Sequence, residues 1–232
     1  MIDATRHASI FDPEQFCLPV HIIGCGGMGS RVAEGLIRMG VGVEGRSPLY
    51  LYDHDIFEEH NVANQFVELG QMRLSKVSAI RQTLLYINPD AQIIDRVVEF
   101  KASELLKGVV FLCVDSMEAR RTIMENALED REDILCVIET RMDAQVGISH
   151  CFDPMNARHC DCWWMYWHSD DEADNIAGCG GPQSIISAIY GTTMLALKQF
   201  EAFARDGMVE TTINRVYQDF DAGIINTEHW PA

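Results

Sequence analysis

His21-Ile22-Ile23-Gly24-Cys25-Gly26-Gly27-Met28-Gly29 runs directly into Ser30-Arg31-Val32-Ala33-Glu34-Gly35-Leu36-Ile37. An apolar run, a glycine turn and a helix start follow one another, which is the order of a nucleotide phosphate site. Glycines let the backbone turn sharply and lie close to a phosphate, while the unpaired N–H groups of a helix N-terminus supply hydrogen bonds and positive dipole. A Gly-x-Gly-x-x-Gly turn taken alone leaves open a dinucleotide-binding dehydrogenase and other phosphate-binding Rossmann-like folds. The doubled glycine at Gly26-Gly27 tilts the reading toward the second.

Downstream, residues 30 to 39 read as helix and Leu49-Tyr50-Leu51-Tyr52 as the next strand, ending at Asp53, so the turn sits inside a βαβ unit. The stretch from Asp53 to Arg73 has no clear period and reads as a functional loop with one short helical turn. Val77, Ile80, Leu84 and Ile87 recur at helical spacing until Asn88-Pro89 stops them. Gln92 to Phe100 reads as strand. Val109 to Val114 is a continuous apolar run, as in a strand covered on both faces, and Asp115 marks its C-terminal end. Ser116 to Leu128 reads as helix, Ile134 to Ile138 and Gln145 to Cys151 as strands, Asp153 to Gly181 as irregular, and Pro182 to Ala204 as a long apolar helix. The expectation is an α/β, Rossmann-like, mostly parallel sheet with flanking helices and additional C-terminal strands. It forms a single domain over residues 1–232, with an arm at 1–19, a core at 20–204 and a C-terminal strand and tail at 205–232.

The chain has 232 residues, enough for one substantial α/β domain. Lys+Arg number 18 against 35 Asp+Glu, a net charge of -17 that repels a phosphate backbone over most of the surface and sets nucleic acid aside. A nucleotide is still compatible, because a nest of N–H groups and one or two cations act locally. No apolar segment reaches the ~20 residues of a bilayer span, and residues 1–14 lack the apolar stretch of a signal peptide. The expectation is a cytoplasmic protein without a membrane partner, whose eight cysteines are reduced thiols or metal ligands. Cys25, Cys113 and Cys136 stand in apolar surroundings and read as buried small residues.

Asp53, Lys76 and Asp115 fall at strand ends or helix starts, where open α/β sheets bind ligands. A carboxylate after the second strand suits a ribose hydroxyl, an ammonium suits phosphates, and a carboxylate near phosphates suits Mg²⁺. A dehydrogenase explains the first of these alone.

With these residues in order, the chain resembles the ubiquitin-activating-type (ThiF/MoeB/HesA-like) adenylyltransferases over about residues 20 to 204. Gly24 to Gly29 resembles the family's GxGGxG turn, Asp53-His54-Asp55 its DxD, and Asn61-Val62-Ala63-Asn64-Gln65 its Asn-Leu-x-Arg-Gln segment. Lys76-Val77 is similar to its Lys-Val helix start and Cys113-Val114-Asp115-Ser116 to its Cys-x-Asp-Asn turn. Gly181-Pro182, Gly191 and Ala196-Leu197-Lys198 are similar to its Pro-x-x-Gly helix. The resemblance implies that the C-terminal glycine carboxylate of a small ubiquitin-like or sulfur-carrier protein attacks the α-phosphate of ATP, expels pyrophosphate and becomes an acyl-adenylate. It implies ATP and Mg²⁺ as cofactors and a homodimeric enzyme. Gly24, Gly26, Gly27 and Gly29 would cradle phosphate and Asp53 would hold the ribose. Asp55, Asn61, Asn64 and Ser116 would complete the nucleotide site, with Lys76 on the phosphates and Asp115 on Mg²⁺.

The sequence departs from that pattern at three places. The family's arginine falls on Asn64, so either another residue supplies the cation, with Arg73 nearby and Arg6 in the N-terminal arm as candidates, or the activity is slow or lost. Cys160-Asp161-Cys162 approximates the first of two Cys-x-x-Cys zinc pairs and the second is absent, so zinc would need Cys160 and Cys162 joined by His159 and by Cys151 or His168. Cys179, among glycines, stands where some relatives carry a thioester-forming cysteine, without a His or Lys beside it. Trp163, Trp164, Tyr166 and Trp167 read as core or as a partner's anchor. The alternatives are a non-catalytic relative that binds nucleotide or a ubiquitin-like partner as a scaffold, and an NAD-dependent oxidoreductase, which leaves Asn61, Lys76 and Asp115 without a role.

Overall fold

The strand, turn and helix of residues 20–39 form as β1 (Val20–Ile23) and α1 (Gly27–Met39) in the computed structural model, which describes residues 3–100, 105–172 and 185–231. Next come β2 (Leu49–Asp53), α2 (Lys76–Ile87) and β3 (Ile93–Val97), then β4 (Gly108–Leu112), α3 (Met117–Ile123), β5 (Ile134–Met142) and β6 (Val146–Phe152). The chain continues through α4 (Ala157–Met165) and α5 (Ile186–Asp206) into β7 (Arg215–Asp219) and β8 (Ile224–Glu228).

These strands make one eight-stranded sheet in the order β3-β2-β1-β4-β5-β6-β7-β8. From β3 through β5 all neighbours are parallel, and from β5 through β8 all are antiparallel. β1 lies between β2 and β4, so the chain leaves it toward one edge and later returns on its other side. That reversal is the topological switch point where such sheets bind ligands.

The apolar runs behave as strands buried on both faces. Ile22, Val109 and Phe111 join a core cluster containing residues of α1, α2 and α5, and Ile23, Val110 and Leu112 join a second cluster containing residues of α3 and α4. The N-terminal arm belongs to the first cluster, since Phe11 and Phe16 pack on Phe200 of α5 at ring separations of 5.7 and 5.2 Å.

Three segments depart from expectation. The stretch read as irregular after Asp153 contains α4, capped by the Asn156 side chain, which accepts from the N–H groups of Arg158 (3.0 Å) and His159 (3.4 Å). Residues 205–232 hold a β-hairpin, since β7 pairs with both β6 and β8. The loop after Asp53 contains two 3₁₀ turns, Glu59–Ala63 and Leu69–Gln71, where the sequence predicts one helical turn.

Gly24 sets how closely the first βα unit approaches the rest of the sheet. Its φ is +87°, and a Cβ there would lie 2.7 Å from the Val114 nitrogen and 2.8 Å from the Cys113 carbonyl carbon and oxygen. At Gly26 a Cβ would meet nothing within 4 Å. The left-handed conformation alone costs an L side chain about 1–2 kcal/mol, and backbone atoms at that distance cannot yield cheaply. Gly24→Ala is therefore expected to cost at least about 2 kcal/mol, lowering Tm by about 4–8 °C, whereas Gly26→Ala shifts it by less than about 2 °C. Thermal unfolding of the two variants side by side checks this, and equal losses would remove the Gly24 contact as the constraint.

Candidate functional site

The glycine turn opens α1 at the switch point, with Gly26 as N-cap and without a side-chain cap. Its backbone N–H groups therefore face the crevice, and the absent Cβ of Gly26 leaves that face open. Gly29 packs where a Cβ would strike the Gly24 carbonyl at 1.9 Å, so the last glycine closes the turn on itself. Over the other side, a Cβ on Gly27 would lie 2.9 Å from Ile189 of α5 and 3.3 Å from the Asn64 carbonyl. Helix α5 and the loop carrying Asn64 thus converge on the turn.

Asp53 ends β2 beside it. One carboxylate oxygen accepts the Cys25 N–H at 2.7 Å and the other accepts the Asp55 N–H at 2.9 Å. Asp55 in turn meets Lys76, the first residue of α2, whose buried ammonium donates to its carboxylate at 2.7 Å. That hydrogen bond and charge hold the Asp55 carboxyl below its usual range, against the opposing effect of partial burial. The backbone locks the pair, because Lys76 N–H donates to the Asp55 carbonyl at 2.9 Å.

The loop after Asp53 is built by its own side chains. Buried Asn61 accepts the Glu58 N–H at 2.9 Å, and the Glu58 carboxylate reciprocates on the Asn61 N–H. Phe66 N–H donates to the Ser30 hydroxyl at 3.2 Å, which donates to the Gly27 carbonyl at 3.1 Å, tying the loop to α1. Asn61 therefore fixes the loop, and Asn64 lies against the glycine turn through its backbone.

Asp115 lies just past β4 and is exposed, and its carboxylate forms no hydrogen bond or ion pair among the described residues. Around it every neighbour is tied down. Cys113 N–H donates to the Ile23 carbonyl at 2.8 Å, which joins the turn to β1. Ser116 caps α3, accepting from Ala119 N–H at 3.1 Å and donating to Asp170 at 2.9 Å. Asp170 also accepts the Met117 N–H at 2.6 Å. Burial pushes the Asp170 carboxyl up, but these donors with the Glu118 N–H and the Arg120 charge outweigh it, so it titrates low.

Gly24, Gly26, Gly27, Gly29, Asp53, Asp55, Lys76, Asp115 and Ser116 thus lie at or just past the C-terminal ends of the adjacent strands β1, β2 and β4 and at the starts of α1, α2 and α3, with the Ser116 hydroxyl taken up by Asp170 and Ala119. Arg73 is exposed at the loop's end, in left-handed backbone with φ 69°, and its N–H donates to the Phe57 carbonyl at 2.9 Å. Arg6 is an exposed residue of the N-terminal arm. Cys179 and Gly181-Pro182 lie outside the described residues.

The cysteine pair is corrected by helix geometry. Cys160 and Cys162 stand two residues apart on α4, about 200° around the helix axis, so their thiols point to different sides. Cys160 is buried and donates to the Pro154 carbonyl at 3.3 Å, and burial pushes its thiol up to about 12. Cys151 sits in the core on the opposite face of the sheet, 3.5 Å from Cys136. Among the described residues the compact group able to hold a cation is Asp53, His54 and Asp55, whose ligand atoms lie within 4.8 Å of one another. Cys25 and Cys113, in the glycine turn and at the β4 end, are buried thiols whose acidity burial suppresses. Trp163 is a core residue, and Trp167 donates its indole N–H to the Met117 carbonyl at 3.1 Å.

Sequence reasoning passed over a buried charge cluster behind Asp115. Glu139 of β5, fully buried, accepts from Arg120 at 2.8 Å and Arg141 at 2.7 Å, and its second oxygen meets His150 Nδ1 at 2.6 Å. Burial alone would raise the Glu139 carboxyl, but the charges of Arg141 and Arg120 with the His150 hydrogen bond reverse that and keep it well below the carboxylate range. A carboxylate ending the apolar run Ile134 to Ile138 was the visible signal, without a mark of its partners.

A ubiquitin-like modifier-activating enzyme 5 from Caenorhabditis elegans is 35% identical over 120 residues, covering 45% of this chain and 27% of the relative. The chain thus spans less than a third of that relative's length. Among solved structures, E. coli MccB with ATP superposes with a TM-score of 0.67 at 14% identity, covering 94% of this chain and 65% of that one. PaaA superposes with a TM-score of 0.69 at 17% identity over 99% of this chain and 70% of its own. These likenesses establish the Rossmann-like fold. Residues 17–203 match the ThiF family, a span that takes in the glycine turn, the β4 end and most of α5, and the chain belongs to that family.

Proposed function

We propose that this protein is an ATP-dependent adenylyltransferase that activates a C-terminal glycine carboxylate, on a ubiquitin-like or sulfur-carrier protein or a peptide, as an acyl-adenylate. The observation that carries it is the contact chain from the open glycine turn through Asp53 and Asp55 to Lys76, with Asp115 unpaired across the same crevice. A nicotinamide enzyme gives Lys76 and Asp115 no work.

In the proposed reaction a carboxylate oxygen bonds to the α-phosphorus of ATP, the α–β bridging P–O bond breaks and pyrophosphate carries away the electron pair. The protein's part is in-line positioning and neutralisation of charge. The residues fit that chemistry, since Gly26 leaves room for phosphate beside the N–H groups of α1, Asp53 stands where a ribose hydroxyl can donate, and Lys76 is held in reach by Asp55. Mg²⁺, held by Asp115, would neutralise phosphate charge. The Asp53-His54-Asp55 group is a further acidic face of the same crevice. The proposal includes assembly as a homodimer and a cytoplasmic setting; in support of the latter, the cysteines among the described residues are free thiols. No helix of the described residues is long and apolar enough to cross a membrane.

The uncharged Asn64 favours a second reading, a scaffold that binds nucleotide or a ubiquitin-like partner without turnover. Partner-dependent ATP–pyrophosphate exchange separates the two. The enzyme reading expects exchange that Lys76→Ala and Asp115→Ala each reduce by about 10²-fold or more. Nucleotide binding without exchange, for every carboxyl-terminal partner supplied, would leave the scaffold.

The backbone of Arg73 supports it as the source of the missing cation, because a non-glycine residue held at φ 69° carries a conformational cost of about 1–2 kcal/mol. Arg73→Gly is expected to leave Tm unchanged or higher while lowering exchange by at least about tenfold. Undiminished exchange would assign the charge elsewhere, with Arg6 next to be replaced.

A further inference from the structure

The turn that carries Asp115 has a brace behind it that neither the nucleotide nor the sheet requires. Arg120, one helical turn into α3, points back beneath β4 and donates to the Val114 carbonyl, with a longer contact of 3.5 Å to the Leu112 carbonyl. Its other partner is Glu139 at 2.8 Å. Their side chains are 3% and 0% exposed. Glu139 is itself fixed by Arg141 and His150, and Arg141 donates onward to the Tyr166 carbonyl at 2.5 Å.

Stability does not explain such an arrangement. Burying an ion pair costs desolvation that its attraction often fails to recover, and apolar replacements of similar volume are frequently neutral or stabilising. A planar guanidinium does supply direction, since its donors leave in fixed directions and can hold a carbonyl and a carboxylate together. Here those directions run from Glu139 of β5 to the carbonyl of Val114, the residue immediately before Asp115. On the other side of Asp115, Ser116 and the Met117 N–H are held by Asp170. Asp115 is therefore the exposed residue of a turn clamped at both flanks.

We infer that Arg120, braced by Glu139, is a positioning residue that aims the Asp115 carboxylate into the nucleotide crevice. Arg120 reaches no ligand itself and acts through the Val114 carbonyl. Removing the brace lets the turn rotate, so a cation is held less well while the rest of the nucleotide site is intact. The inference rests on the proposed role of Asp115.

A double-mutant cycle tests it, with Arg120→Lys and Asp115→Asn, alone and combined, read by the Mg²⁺ concentration giving half-maximal binding of ATP. Binding of ATP in EDTA serves as the metal-free reference. Arg120→Lys is expected to raise that concentration by about tenfold, as losing an outer partner of a metal ligand does, with metal-free binding unchanged. The combined variant should be no worse than Asp115→Asn alone, because both act through one carboxylate. Amide hydrogen exchange gives a second readout that needs no ligand: the amides of residues 114–116 should exchange faster in Arg120→Lys and, to a smaller extent, in Glu139→Gln, with β1 and α2 unchanged. The Glu139→Gln arm keeps the test decisive if Arg120→Lys does not fold. An unaltered Mg²⁺ requirement in Arg120→Lys, or additive losses in the combined variant, would overturn the inference while leaving Asp115 in its role. No effect of Asp115→Asn would instead overturn the adenylylation reading, and the inference with it.

Discussion

Everything at this site depends on how near the backbone of the first βα unit comes to the end of β4. Gly24, in left-handed conformation, lies where any side chain would collide with the Val114 nitrogen and the Cys113 carbonyl. The close approach places the open N-terminus of α1 beside the turn that carries Asp115. Asp53 joins from the other side by accepting the Cys25 N–H, so β1, β2 and β4 each contribute one wall of the crevice. Every wall is backbone or a residue directly tied to it, which suits the proposed adenylyl transfer, a reaction that asks for fixed charges more than for moving parts.

Two ion pairs divide the labour differently. Lys76 with Asp55 is buried at one end and wet at the other, and its ammonium can turn from one anion to another. Arg120 with Glu139 is dry at both ends and stays put. The first has the character of a group that meets a ligand, the second of one that holds a wall. The same contrast separates Asp115, exposed and unpaired among the described residues, from Asp170, which spends its oxygens on Ser116 and the start of α3.

Helix α4 is short, and its apolar residues at 157, 160 and 162–165 spread around the axis while the buried ones are His159, Cys160 and Trp163, so the sequence shows no clear stripe. Its period was therefore not legible in the sequence. The hairpin of β7 and β8 is exposed along much of β8, so its sequence lacks the apolar run that marks the central strands. Cys160 and Cys162 looked like half a zinc site by spacing, but in a helix that spacing sends the thiols apart.

Sequence alone determined the βαβ unit, the glycine turn, and the residue types at the ends of β2 and β4 and the start of α2, because each is written locally in period, glycine placement and helix punctuation. Arg120 and Glu139 were visible merely as charges 19 residues apart. Tertiary structure alone decided that they meet beneath Val114, that Cys151 and Cys160 face opposite cores, and that Gly26 is open while Gly24 is closed. The reason is that these are relations between elements, set when the sheet reverses direction at β1 and brings β4 against it, and no local pattern in the chain encodes a distance across that reversal.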